Sequence, residues 1–360
     1  MSTDSRREFL QQLAGTAAAW PVMSALTRAA DSPRPRIKIG QIGTTHAHAS
    51  KLGVYRKSAD YEVIGVVEPD PQRRAAAEKL PYFQGVKWIS RDELLNTPGL
   101  QAVLVETDVC DLLNNAEVCV AAGKHIHFDK PAGESLPQFK RILDDAKRQK
   151  LIVQMGYMYR YNPGIVLLRD LLKKGWLGEV FEIEAVMSKV LDPQDRREIG
   201  QYPGGIMFEL GCHIMDLTIG VLGKPDRLTG YNRHSSPLDD ALLDNSLAVL
   251  EYPRAIATVK TAAVEIEGNA RRHFTVCGTE GTLQIQPLDN PSARLALSEP
   301  RGDYKAGYQD VALPKYTRYV DDAADMAQVI RGEKEFGFSY EHDLNVQTAV
   351  LQASGRPLDV

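Results

Sequence analysis

The chain has 360 residues, 43% of them hydrophobic and 25% charged, a globular composition of a length that suggests two domains. A formal net charge of −4 and the lack of any basic run exclude a nucleic-acid binder that works through a basic patch. Cys110, Cys119, Cys212 and Cys277 have neither zinc-ligand spacing nor disulfide density, and no apolar run is long enough to span a bilayer.

In chain order, Ser5-Arg6-Arg7-Glu8-Phe9-Leu10 precedes a small-residue, mildly apolar segment from Leu13 to Leu26. This pattern predicts a twin-arginine leader over residues 1–30, export by that route and a periplasmic location. Strands and helices then alternate. Strands are expected at 37–42, 61–67, 102–105, 125–128 and 151–155. Helices are expected up to Lys57, from Pro71 to about Leu80, over 91–96 and 112–122, and from a Ser135/Gln138 capping box to Arg148. Such a rhythm predicts an α/β fold that begins with a parallel, Rossmann-type sheet over 36–157.

After Tyr157 the rhythm changes. Asn162 caps a helix with Pro163 at its first position and Gly175 at its end. Strand-like runs follow at 180–186, 247–252, 255–261, 273–277 and 282–285, with a polar loop at 192–202 and helices at 320–330 and 343–353. They predict an α+β domain over 158–360 with a large, mostly antiparallel open sheet. One face of that sheet is left for a partner in a homodimer or homotetramer.

Three stretches could carry chemistry. The turn Gly43-Thr44-Thr45-His46-Ala47-His48 follows the first strand, where a dinucleotide's pyrophosphate would sit on a helix N-terminus. Only the first glycine of G-x-G-x-x-G is present; Thr45 would crowd a phosphate or donate its hydroxyl to it. Glu68, 25 positions after Gly43, ends the second strand, where an acid would hold the ribose hydroxyls of NAD and repel the 2′-phosphate of NADP. His46-x-His48 and His125-x-His127 place alternate imidazoles on one side, but no third and fourth ligand is spaced to join them, so no metal is assigned. Asp129-Lys130-Pro131 leaves a strand on the same edge, so Lys130 could reach a substrate oxygen; alone, it would read as a surface lysine in a turn. Finally, in Gly204 to Leu217, Glu209, His213 and Asp216 are spaced by four and three, one face of a helix. A carboxylate one turn before a histidine can fix its tautomer for general-base work. The competing reading is a core helix whose histidine is merely hydrogen-bonded. Gly211 within that helix costs roughly 1 kcal/mol against alanine, which implies that something packs closely there.

Gly123-Lys124-His125-Ile126-His127-Phe128-Asp129-Lys130-Pro131 resembles the A-G-K-H-V-x-x-E-K-P segment of the Gfo/Idh/MocA family of nicotinamide-dependent oxidoreductases. Gly204-Gly205 through Glu209, Gly211, His213 and Asp216 resembles its G-G-x-x-x-D-x-G-x-H-x-x-D helix, and Val276 to Gly281 resembles its later sheet turn. The resemblance runs from about Arg36 to the C-terminus. It implies a Rossmann domain followed by an open-sheet domain that mediates oligomers, and an active site built on Lys130, Glu209 and His213. NAD is the implied cofactor, in preference to NADP, with Gly43, Thr44, Thr45, His46, Glu68, Thr107, Asp129 and Lys130 expected to bind it. Tyr157, Tyr159, Arg160, Asn162 and Asp216 are expected around a small carbohydrate substrate. The chain departs from the family at Asp129 for Glu, at Glu209 for Asp and in the depleted glycine turn. The expected reaction is hydride transfer from a secondary hydroxyl of a sugar, polyol or glycoside, with His213 as base, Glu209 orienting it and Lys130 stabilising the alkoxide. Export implies a tightly held cofactor that is recycled within the site or reoxidised by an external acceptor. Oxidation, elimination and reduction at a glycoside, or sugar binding without catalysis, are the alternatives.

Overall fold

The computed structural model describes residues 34–202 and 204–359; the leader expected over 1–30 lies outside them. Five strands, β1 (Ile37–Ile42), β2 (Tyr61–Val67), β3 (Leu100–Val105), β4 (His125–Phe128) and β5 (Val153–Met155), form one all-parallel sheet in the order β2-β1-β3-β4-β5. A sheet covered on both faces needs near-continuous apolar strands, and β3 has five buried residues out of six. Helix starts follow local chemistry. Asp70 accepts from the amides of Gln72 and Arg73 ahead of a helix at Pro71–Ala77, and Ser135 accepts from the Gln138 amide ahead of Leu136–Gln149. Only half of the expected capping box forms there, because the Gln138 side chain turns to Asn114 and Glu117 instead.

The second sheet has eight strands: β6 (Val180–Ser188), β7 (Arg227–Arg233), β8 (Asn245–Glu251), β9 (Ile256–Ala262), β10 (His273–Gly278), β11 (Gly281–Ile285), β12 (Ala293–Leu297) and β13 (Gly307–Val311). Their order is β13-β12-β11-β10-β6-β9-β8-β7, antiparallel except for the central β6–β9 pair. The inner face buries Ile183, Ala185, Leu250, Val259, Phe274 and Leu283. The outer face presents Tyr231 and Ile256, each at least half exposed, beside half-buried Leu247 and Val249. Three strands were not expected from sequence. Of these, β7 and β13 are the two edges of the sheet and are mostly polar, so no apolar run marks them. The expected polar loop at 192–202 contains a helix, Pro193–Ile199, capped by Asp192 and started by proline.

Gly204 and Gly205 have φ of +98° and +54°, backbone that disfavours any residue with a Cβ. They feed a π-helical turn, Met207–Gly211, which continues as an α-helix over Cys212–Leu222. Gly211 is tightly packed, as its cost implied: a Cβ there would lie 2.6 Å from the Met207 sulfur and 3.3 Å from the Thr261 methyl on β9. At Gly205 a Cβ would overlap the Leu243 carbonyl. Gly205→Ala is therefore expected to destabilise the protein by on the order of 3 kcal/mol in urea denaturation, from backbone strain and overpacking together.

Candidate active site

Both regions of interest lie along the carboxyl edge of the parallel sheet. The first is a cavity of about 680 Å³ lined by Gly43, Thr45, Glu68, Arg73, Arg74 and Thr107. Gly43 (φ +88°) lies so close to Thr107 that a Cβ would come within 2.6 Å of the threonine amide. Thr44 does not line the cavity; its hydroxyl donates to the Glu68 carboxylate at 2.7 Å and holds the acid at the end of β2. An acceptor-only side chain at this strand end, beside a roomy cleft, fits the ribose diol of a dinucleotide. The helix expected after the turn is present through Lys57, but its first turn is 3₁₀. Residues 43–48 stay non-helical, a 3₁₀ turn covers Ala49–Lys51, and the α-helix occupies only Leu52–Lys57.

A buried polar network holds the turn in that conformation. Asp129, at the end of β4, accepts from His48 Nδ1 at 2.9 Å, from the Lys130 amide at 2.7 Å and from the Lys51 ammonium. Lys51 also pairs with Glu106 at 2.8 Å and reaches His127 Nε2 at 2.8 Å. The other nitrogen of His127 meets the Tyr55 hydroxyl at 3.1 Å. His46 Nε2 donates to the Lys130 carbonyl at 2.9 Å, while its Nδ1 takes the His48 amide at 3.2 Å. That leaves His46 neutral, and burial pushes its pKa down to about 3. His46 and Asp129 therefore act beneath the turn and do not face the cofactor cleft, which corrects two expected cofactor contacts. Of the His-x-His pairs, His125 and His127 separate, since His125 Nδ1 accepts from the Ile152 amide while His127 meets Lys51; His46 and His48 stay together, ring centroids 5.2 Å apart, and Asp129 joins them as a third group able to ligate a cation. Burial raises Glu106 well above the usual carboxylate range. Burial pushes Asp129 the same way, but the Lys51 ammonium and the hydrogen bond from His48 outweigh it and hold Asp129 well below that range. Lys51, Glu106 and Tyr55 belong to no motif; only folding brings them to the turn.

The second cavity, about 420 Å³, is lined by His48, Lys130, Tyr159, Glu209 and His213 among others. Lys130 Nζ donates to Glu209 Oε1 at 2.9 Å and to the Glu209 carbonyl at 2.8 Å. Burial alone would lower the lysine, but the carboxylate outweighs it and keeps the ammonium charged. Burial likewise opposes ionisation of Glu209, and Lys130 overrides it, bringing that acid down to about 2. The expected Glu209–His213 brace is not formed: Glu209 Oε2 and His213 Nδ1 are both buried without a hydrogen-bond partner. The π-helical turn is the physical reason, since its i→i+5 bonds put Glu209 out of the α-helical phase that the four-residue spacing assumed. His213 lies instead among rings, 5.2 Å from Tyr159, 5.5 Å from His48 and 6.1 Å from Tyr157. Burial and the adjacent Lys130 push it well below the ordinary imidazole range.

The imidazole braced by an acid is thus His48, through Asp129. Of the five expected substrate residues, Tyr159 lines this cavity. Tyr157 is buried behind it beneath the Arg160 guanidinium. Arg160 is locked between Asp216 and Asp343, each at 2.6 Å, and Asn162 caps its helix and donates to the Leu288 carbonyl. None of these four lines the Lys130–His213 cavity; Arg160 and Asp216 instead border a separate cavity of about 320 Å³ with Phe338 and His342.

A parallel nucleotide-edge sheet, an acid at the end of its second strand and a lysine–imidazole cavity define an NAD-binding oxidoreductase. Comparison with known proteins agrees. Residues 37–157 match the oxidoreductase family described by an NAD-binding Rossmann fold, and residues 165–284 match the GFO/IDH/MocA C-terminal domain. The chain belongs to the Gfo/Idh/MocA family. It is 24% identical over 248 residues to mouse (Mus musculus) trans-1,2-dihydrobenzene-1,2-diol dehydrogenase, covering 67% of this chain and 72% of that one. UDP-N-acetylglucosamine 3-dehydrogenase from Acidithiobacillus ferrooxidans shares the fold with a TM-score of 0.74 at 20% identity, over 90% of this chain and 98% of that one. An Agrobacterium radiobacter oxidoreductase, in complex with NAD+, L-tartaric acid and magnesium, does so with 0.73 at 16%, over 89% and 98%.

Removing the buried ammonium tests the network. Lys51→Met leaves Asp129 and Glu106 without their cation, and a loss of about 3–5 kcal/mol is expected in urea denaturation at pH 8. Glu106 already lies above its unfolded value in the wild type, and loss of Lys51 should carry Asp129 above its own as well, so the deficit should shrink at pH 5, where the folded variant takes up a proton.

Proposed function

We propose that this oxidoreductase moves a hydride between NAD and a secondary hydroxyl carbon of a sugar, polyol or glycoside. The observation that carries this is the shared turn: Gly43 and Thr45 line one cavity, while Ala47 and His48 line the other. A dinucleotide lying along that edge would have its adenosine half near Glu68 and its reactive ring toward Lys130. Gly43, Thr45, Glu68 and Thr107 would hold it, and when bound it supplies the hydride acceptor.

The protein's own groups do the rest. The Lys130 ammonium, kept charged by Glu209, stabilises the alkoxide that develops as the hydroxyl proton leaves. His48 takes that proton. Its Nδ1–H is committed to Asp129, so the lone pair lies on Nε2, and the imidazolium that forms keeps its carboxylate partner. His213, the base expected from sequence, has no such partner and sits beside Lys130, so it orients the hydroxyl as a neutral ring. The names of the mouse and Acidithiobacillus relatives, one a diol dehydrogenase and the other a sugar-nucleotide 3-dehydrogenase, support CH–OH chemistry. We further propose export to the periplasm with NAD held tightly and recycled in place, and pairing of subunits through the outer face of the second sheet.

Lys130→Met should lower kcat by roughly 10²–10³ while NAD binding, followed by protein fluorescence, persists; wild-type turnover would refute the role. His48→Gln should lower kcat by about 10²–10⁴ and flatten the acidic limb of its pH profile. Activity in the wild type should rise with pH through a value below the usual imidazole range, because burial lowers His48 more than Asp129 raises it. For His213→Gln, a rise in KM should dominate. Glu68→Ser should weaken NAD binding roughly tenfold, the worth of hydrogen bonds to a charged group, and narrow the preference over NADP.

A further inference from the structure

Much of the lining of the substrate cavity is basic. Lys189 follows β6, Arg272 precedes β10 and Arg318 precedes the helix Val320–Ile330, and all three line the cavity with Lys130. Glu209 is committed to Lys130. A single carboxylate, Asp289, serves both Arg272, at 2.7 Å, and Arg318, and it also accepts from the Tyr159 hydroxyl. Among the described residues no ion pair or side-chain hydrogen bond reaches the Lys189 ammonium, which couples only through space to Glu209 and Asp195; four cationic groups line the cavity and a single carboxylate, Glu209, lines it with them. An excess of like charge around a partly desolvated cavity focuses a field that favours an anionic guest. Two polar atoms there also lack partners: Glu209 Oε2, which can only accept, and His213 Nδ1. Hydroxyl groups would satisfy both.

We infer that the substrate is a polyhydroxy compound bearing an oxyanion, in the first instance a sugar acid. Its carboxylate docks against Lys189, Arg272 and Arg318 while its hydroxyls meet Glu209 and His213. The inference rests on the dehydrogenase reading above and narrows it from sugars in general to acidic ones. A phosphate would satisfy the same cations, so sugar phosphates share the recognition chemistry. Orientation follows from the layout: the anionic end lies on the side of the second sheet, which leaves a hydroxyl-bearing carbon toward Lys130 and His48.

Calorimetric titration of the NAD-loaded protein with D-gluconate, D-glucuronate, D-glucose 6-phosphate and D-glucose tests this without requiring turnover. At least one acid should bind tenfold or more tightly than glucose, and its affinity should fall as salt rises from low to physiological ionic strength. The substitution Lys189→Gln disturbs no ion pair. It should weaken the preferred acid about tenfold and leave both glucose and NAD binding unchanged. Tightest binding by the phosphate would identify that oxyanion as the source; tightest binding by gluconate or glucuronate would identify a carboxylate. Glucose binding as well as the acids would overturn the inference, as would Lys189→Gln weakening NAD instead of the acid. Acid binding without any NAD-linked oxidation would leave the docking site standing and reject the dehydrogenase reading, so the two fail separately.

Discussion

Everything at the nucleotide edge depends on one buried carboxylate. Asp129 sits where β4 ends, fully out of water, and an ionised acid there survives only if it is surrounded by donors. Lys51, His48 and the Lys130 amide provide them. Satisfying Asp129 therefore does three things at once. It pulls the start of the first helix down onto the sheet. It prevents the Gly43–His48 turn from winding into that helix. It also fixes the tautomer of His48 at the mouth of the cavity. Asp129, where the family motif has glutamate, is the centre of this arrangement.

The opposite half contributes through a second constraint, the π-helical turn at Met207–Gly211. Positive-φ glycines start it, and Gly211 lets it lie against Thr261. The extra residue per turn rotates Glu209 toward Lys130 and leaves His213 among aromatic rings. The lysine thereby stays cationic and can steady negative charge on oxygen, while the histidine of the helix stays neutral and unbraced. In the proposed reaction, proton transfer and charge stabilisation fall to His48 and Lys130 at the edge of the parallel sheet, and substrate orientation to His213 on the helix after the π-turn. The basic wall formed by Lys189, Arg272 and Arg318 belongs to the same half and gives the cavity its polarity.

Much of this was legible in the chain, and the parts that were not share causes. The strands of the parallel sheet are largely buried and carry alternate or continuous apolar residues, so β1, β2 and β4 fall where expected. Edge strands face water on one side and have few apolar residues, so β7 and β13 left no mark. Lys130, Glu209 and His213 do line one cavity, as the motifs implied. Their pairing was misjudged because a four-residue spacing was converted to geometry with α-helical phase. Arg160 pairs with Asp216 and with Asp343 on the last helix, and the cavity that Arg160 and Asp216 line is a different one from that of Lys130 and His213.

The amino-acid sequence by itself determined the alternation of elements, the capping signals, the family and the set of residues able to do chemistry, because each of these is written in neighbours a few positions apart. Tertiary structure alone decided which acid braces which base. Lys51, Glu106, Asp129 and His48 are spread over some eighty positions, and burial in one low-dielectric pocket, which forces every charge to find a partner, is what brings them together.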